Sequence, residues 1–153
     1  MSAEAVSVVE RLQDALGMDD VVAAIGDDQR EARVQRAFME LAVPDFEVVM
    51  VGPAYQGTRL EFSGADGFRE AWIDWTSPFE GYRIDLEEII DAGDRVVSLV
   101  TMVGKTRTGG VEVNAPGAAV WTVVDERLRR VEFHLDRQAA LRAAGLDPQS
   151  SQT

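Results

Sequence analysis

Cysteine is absent from the 153 residues. Disulfides, thiolate metal sites and a cysteine nucleophile are therefore excluded. Histidine occurs once, as His134, so a multi-histidine metal centre cannot be assembled. No acidic loop of the EF-hand type is present either, and no cofactor or metal is expected. Positive charge is scarce: Lys+Arg 15 against Asp+Glu 27 leaves a net charge of −12. Nucleic acids and anionic membrane surfaces are bound through clustered Lys and Arg, so neither is an expected partner. No run approaches the ~18 uninterrupted apolar residues of a membrane span. The stretch MSAEAVSVVERLQ lacks a basic leader and a long apolar run. No secretory signal is expected from it, and a cytoplasmic location is. Gly104-Lys105-Thr106 has the tail of a phosphate-binding loop without its glycine-rich turn, and there is no G-x-S-x-G elbow for a serine nucleophile.

What is present fits an ordinary globular chain of one domain, with 46% hydrophobic and 27% charged residues. Val6, Val9, Leu12 and Leu16 share one helix face before Gly17. A short helical turn follows through Val21–Ile25. Asp28 and Glu31 read as a capping box for a third helix reaching Leu41, with Pro44 just beyond it. Phe46–Val51 is β-branched and reads as a strand, followed by loop through Gln56-Gly57. Phe68, Ala71, Trp72 and Trp75 stand at i, i+3, i+4 and i+7, the spacing of one helix face.

The second half changes to period two. Tyr82–Ile90, Arg95–Thr106, Val111–Val124 and Arg127–Leu135 read as strands joined by turns at Asp91–Asp94, Thr108–Gly110 and Asp125-Glu126. Pro116-Gly117 inside the third of these predicts a bulge or an edge. A short helix, Arg137–Ala144, ends at Gly145. Helices first and a meander of strands afterwards imply an α+β fold, a strongly curved, mostly antiparallel sheet with helices packed on it. The hollow side of such a sheet is a natural small-molecule pocket.

The segments Gly64–Trp72, Tyr82-Arg83, Ile89–Val97, Val111–Val113, Val120–Thr122 and Glu132–Arg137, in this order and spacing, resemble the SnoaL-like polyketide cyclase family of the nuclear transport factor 2-like superfamily. The resemblance covers residues 3–146. It implies a cone-shaped roll and a homodimer assembled through the sheet; one domain over 1–146 is expected, and the polar DPQSSQT over 147–153 reads as a mobile tail. The resemblance implies a pocket rather than one activity, since the superfamily spans isomerases, epoxide hydrolases, cyclases and proteins without a known reaction. The acids those enzymes place in the cone would fall near Phe133, near Val100 and Met102, and near Ala118 and Ala119, all apolar here.

The expectation is therefore a cone that binds a small apolar or aromatic molecule through Phe38, Met50, Trp72, Trp75, Met102, Trp121 and Phe133. If the chain is a catalyst, it is a cofactor-free isomerase, cyclase or hydrolase working by acid–base chemistry. Tyr55, Glu47 and Asn114 are then the first polar candidates, with His134 behind them, its imidazole suited to proton transfer near neutrality. On the last strand, however, Val131 and Phe133 alternate with Glu132 and His134, so the apolar pair is expected to face the hollow. The alternative is an interaction module whose cone is filled by its own side chains.

Overall fold

The computed structural model describes residues 2–16, 18–51 and 59–146. Three helices come first: α1 (Ser2–Ala15), α2 (Val21–Ile25) and α3 (Asp28–Leu41). The side chain of Asp20 caps α2 by accepting from the Ala23 amide. At α3 the cap is Asp27, which accepts from the amides of Gln29 and Arg30, and not Asp28, which is already helical. Strand β1 (Ala42–Val51) leaves α3 directly and runs through Pro44, with a register shift between Ala42 and Glu47. A short strand that the sequence pattern did not predict, β2 (Arg59–Ser63), precedes α4 (Gly64–Thr76). Strands β3 (Phe79–Ala92), β4 (Arg95–Thr106), β5 (Glu112–Val124) and β6 (Arg127–His134) form the meander, and α5 (Arg137–Ala143) closes the described chain. Gly17, the loop through Gln56-Gly57 and the tail 147–153 lie outside the described residues.

The six strands form one curved mixed sheet in the order β2-β1-β6-β5-β4-β3, in which only the β1–β6 pairing is parallel. Pro116 sits opposite Thr101 with no register break on that side. On its other side β6 pairs with β5 only from Ala118 onward. Pro116 is thus an edge proline, placed where a missing N–H costs no ladder bond. The β5–β6 turn uses Asp125 and Glu126, both with positive φ (53° and 62°), the backbone of a two-residue hairpin turn.

The sheet's two faces have different covers. The inner face carries Val48, Met50, Val96, Ala119, Trp121 and Val131, all packed in one cluster with Val9 and Leu12 of α1 and Phe68 and Trp72 of α4. The outer face carries Val97, Ala118 and Val120 under Ala140 and Leu141 of α5. Val9, Leu12, Val48, Val96 and Val131 are completely buried, and each such side chain contributes about 1.5–3 kcal/mol by leaving water. No described helix is long and apolar enough to cross a membrane.

Candidate functional site

Alternation along β6 decides what faces the hollow. Phe133 pairs with Met50 on β1 and Ala119 on β5, both members of the inner cluster. Its ring meets Trp72 edge-on at 5.0 Å, Phe68 at 6.0 Å and Trp121 at 6.1 Å. His134 pairs with Ala118, which belongs to the outer cluster. The hollow is therefore greasy at this strand, as the period-two pattern predicts.

Between the helices and the inner face lies a cavity of about 100 Å³. Trp72, Trp75, Met102, Trp121 and Phe133, all expected to contact a guest, line it. Val100, Ala118 and Ala119 also line it, so every position at which the resemblance would place an acid borders the cavity and is apolar. Phe38 and Met50 do not. Phe38 is 3% exposed and stacks on Phe46 at 4.6 Å with Phe68 edge-on at 4.9 Å; Met50 is 1% exposed in the same core cluster.

Charge reaches the cavity at one place. Glu31 of α3 and Arg69 of α4 both line it and form a half-exposed ion pair between the two helices. Among the described residues, Glu31 is the one carboxylate in the lining.

The polar candidates are scattered. Tyr55 lies outside the described residues. Glu47 is exposed on the outer parity of β1, where its carboxylate accepts from Arg130 at 2.8 Å. Asn114 is exposed and donates to Glu112 at 3.5 Å. It stands on the part of β5 that precedes the β6 pairing, so no second strand covers it. His134 is 6% exposed and borders the cavity, but its ring is engaged on the outer face. There Nε2 lies 2.9 Å from one oxygen of Glu132, whose other oxygen accepts from Arg130 at 2.9 Å. The bond to His134, together with Arg130 and against the opposing effect of burial, holds the Glu132 carboxyl down to about 2. Glu47, Arg130, Glu132 and His134 thus make one hydrogen-bonded network, on the side of the sheet away from the aromatic cluster.

Three lining residues, Gln13, Trp75 and Trp121, are anchored by polar groups behind the lining, Ser98 and Tyr82. Gln13 of α1 donates through Nε2 to Ser98 Oγ at 2.9 Å, and Trp121 Nε1 donates to the same oxygen at 2.8 Å. Trp75 Nε1 donates to the Tyr82 hydroxyl at 2.8 Å. The signals were there. Gln13 interrupts an apolar helix face between Val9 and Leu16, and Ser98 interrupts the inward run Val96, Val100, Met102.

An α+β cone with helices over the hollow of a curved sheet and an apolar cavity between them is the architecture of the nuclear transport factor 2-like proteins. The profile of the SnoaL-like domain matches residues 12–131, and the chain belongs to that family. Solved structures share the fold. A protein from Jannaschia sp. CCS1 described as a SnoaL-like polyketide cyclase is 17% identical, with a TM-score of 0.65 over 95% of this chain and 94% of that one. TerC, co-crystallised with polyporic acid, is 22% identical, with a TM-score of 0.57 over 88% and 98%. A protein of ketosteroid isomerase-like fold from Catenulispora acidiphila DSM 44928, in complex with trimethylamine, is 15% identical, with a TM-score of 0.57 over 88% and 92%. No curated protein matches the chain.

Proposed function

We propose that this protein binds a small, mainly apolar molecule, about one aromatic ring in size, in the hollow of its cone. The observation that carries the reading is the lining: three tryptophans, Phe133, Met102 and the small residues Ala118 and Ala119 around a cavity of about 100 Å³. That space is below the ~300 Å³ at which pockets for drug-sized ligands begin. It is nearer the ~150 Å³ of an apolar cavity that stays dry and takes up benzene. A steroid-sized guest would require α2, α3 and α4 to move off the sheet.

Binding is favoured over proton transfer by the charge distribution. A cone acid needs a carboxylate or imidazole within hydrogen-bond reach of the guest. Glu31 is held by Arg69 at the lining's edge, and the His134 ring is held by Glu132. Isomerase, cyclase or hydrolase activity would depend on Glu31.

A second reading, an interaction module with a self-filled cone, is favoured by the small size of the cavity. Thermal unfolding in the presence of para-xylene and indole separates the two. A guest that binds the native state raises the midpoint as its concentration exceeds its Kd. A concentration-dependent rise supports the binding protein; unchanged midpoints at saturation of both probes favour the filled module. The homodimer is also a proposal, resting on the family resemblance, and native mass spectrometry of the purified chain reads it directly.

A further inference from the structure

All three tryptophans of the chain line the cavity, and two have their indole N–H matched, Trp75 by Tyr82 and Trp121 by Ser98. The third is not: Trp72 Nε1 is buried with no hydrogen-bond partner. Elsewhere in the lining, the Gln13 amide is half matched, its Nε2 on Ser98 and its Oε1 buried with no partner. Trp72 is 5% exposed and Gln13 9%. Buried polar atoms are paired in the great majority of native structures, because an unmatched one forfeits its water without replacement. Two other described side chains have such an atom: Arg30 does not border the cavity, and His134, which does, shares the strand face of Glu132 and has its ring held there through Nε2. An unmatched donor and an unmatched acceptor, on two residues that line one greasy space, are complementary to a single kind of molecule.

We infer that Trp72 and Gln13 are the specificity-determining groups of the cone, and that its guest is a ring bearing both a hydrogen-bond acceptor and a hydroxyl, a hydroxylated aromatic carbonyl compound. This rests on the ring-binding proposal and deepens it. The guest's carbonyl oxygen accepts from Trp72 Nε1–H, and its hydroxyl donates to Gln13 Oε1. Ser98 keeps the amide oriented, since its oxygen already takes the Gln13 and Trp121 N–H groups. The ring itself gains contact with Phe133 and Trp121.

Four para-disubstituted benzenes of similar shape test this on the full chain: para-xylene, para-cresol, para-tolualdehyde and para-hydroxybenzaldehyde. Affinities are read from tryptophan fluorescence and thermal shift. The expected result is para-hydroxybenzaldehyde tightest, about tenfold tighter than para-xylene, with the two singly polar rings between them. Trp72→Phe should erase the advantage of the aldehydes over their methyl counterparts, and Gln13→Met that of the hydroxyl compounds. If para-xylene binds as tightly as para-hydroxybenzaldehyde, the inference is wrong while the ring-binding proposal stands. Persistence of both advantages in the two variants overturns it equally. Failure of all four to bind removes both proposals. The wild-type series needs no variant to fold.

Discussion

Trp75 and Tyr82 meet head to head, the indole N–H of α4 donating to the phenol oxygen of β3 at 2.8 Å. Tyr82 is 5% exposed, with Phe79 at 5.1 Å and Trp72 at 6.2 Å around its ring. Burial pushes its hydroxyl up to about 12 from an ordinary 10, against a smaller opposite effect of the Trp75 bond. An unfolded chain sheds this proton near pH 10, whereas the folded chain holds it to about 12. Stability is therefore complete below pH 10 and falls as pH rises through 12, by roughly 2–3 kcal/mol from this group. Tyr82→Phe should cost about 1 kcal/mol at pH 7 through the lost bond. It should also remove this alkaline component, so urea midpoints of variant and wild type converge or cross above pH 10. Parallel curves would show that Tyr82 is not the group being titrated.

The Glu132 carboxyl behaves in the opposite sense. Its folded value of about 2 lies below the ordinary 4.5, first because of the His134 bond and then the Arg130 pair. The stabilisation is present above pH 4.5 and is lost as pH falls through 2. Solvent screening at this half-buried position limits it to about 1–2 kcal/mol. Glu132→Gln is expected to unfold with a flatter acid limb than wild type between pH 4.5 and 2. An unchanged acid limb would place the acid sensitivity elsewhere.

Much of this fold is legible in the sequence because its periods are clean. The run Val96–Met102 can only be a strand, and Phe68, Trp72 and Trp75 can only share a helix face. β2 is illegible because Arg59-Leu60-Glu61-Phe62-Ser63 offers only two apolar residues; its antiparallel pairing with β1 makes it a strand. The α3 cap shifts by one because Asp27 and Asp28 are chemically alike, and only backbone geometry separates them. In the site, the apolar lining is readable, while its polar exceptions show only as interruptions of a pattern and not as partners. Gln13 meets Ser98 across 85 residues, a relationship no local pattern contains. Nor does hydrophobicity say whether a buried side chain borders a void or a neighbour, which is why Phe38 and Met50 fall in the solid core.

Gly117 lies against Met102, a residue of the cavity lining. A Cβ there would lie 2.4 Å from the Met102 methyl and 3.1 Å from the His134 carbonyl oxygen. The methionine end can swing aside, but the strand carbonyl cannot, so Gly117→Ala should destabilise by about 1–3 kcal/mol. Because Met102 lines the cavity, its displacement also takes space from a guest. Ring-sized probes should bind several-fold more weakly to the folded variant than to wild type. Equal binding would mean that Met102 moves away from the hollow.

Ser98 is fully buried, and its single oxygen accepts two indispensable N–H groups, from Gln13 at 2.9 Å and from Trp121 at 2.8 Å. Ser98→Ala removes little volume but strands both donors. Leaving a buried donor unmatched costs about 1–3 kcal/mol, so the variant should lose roughly 2–4 kcal/mol in urea unfolding. That is more than the loss of one hydroxyl's packing. Gln13→Met alone removes one donor and leaves Trp121 matched, so it should cost less. The two changes share the same oxygen, and their effects should not add. In the double variant the Gln13 donor is no longer there to be stranded, so its loss should fall short of the sum of the singles. Strict additivity would show that Ser98 and Gln13 are energetically independent, and that the cavity's polar wall is not the linked unit its distances describe.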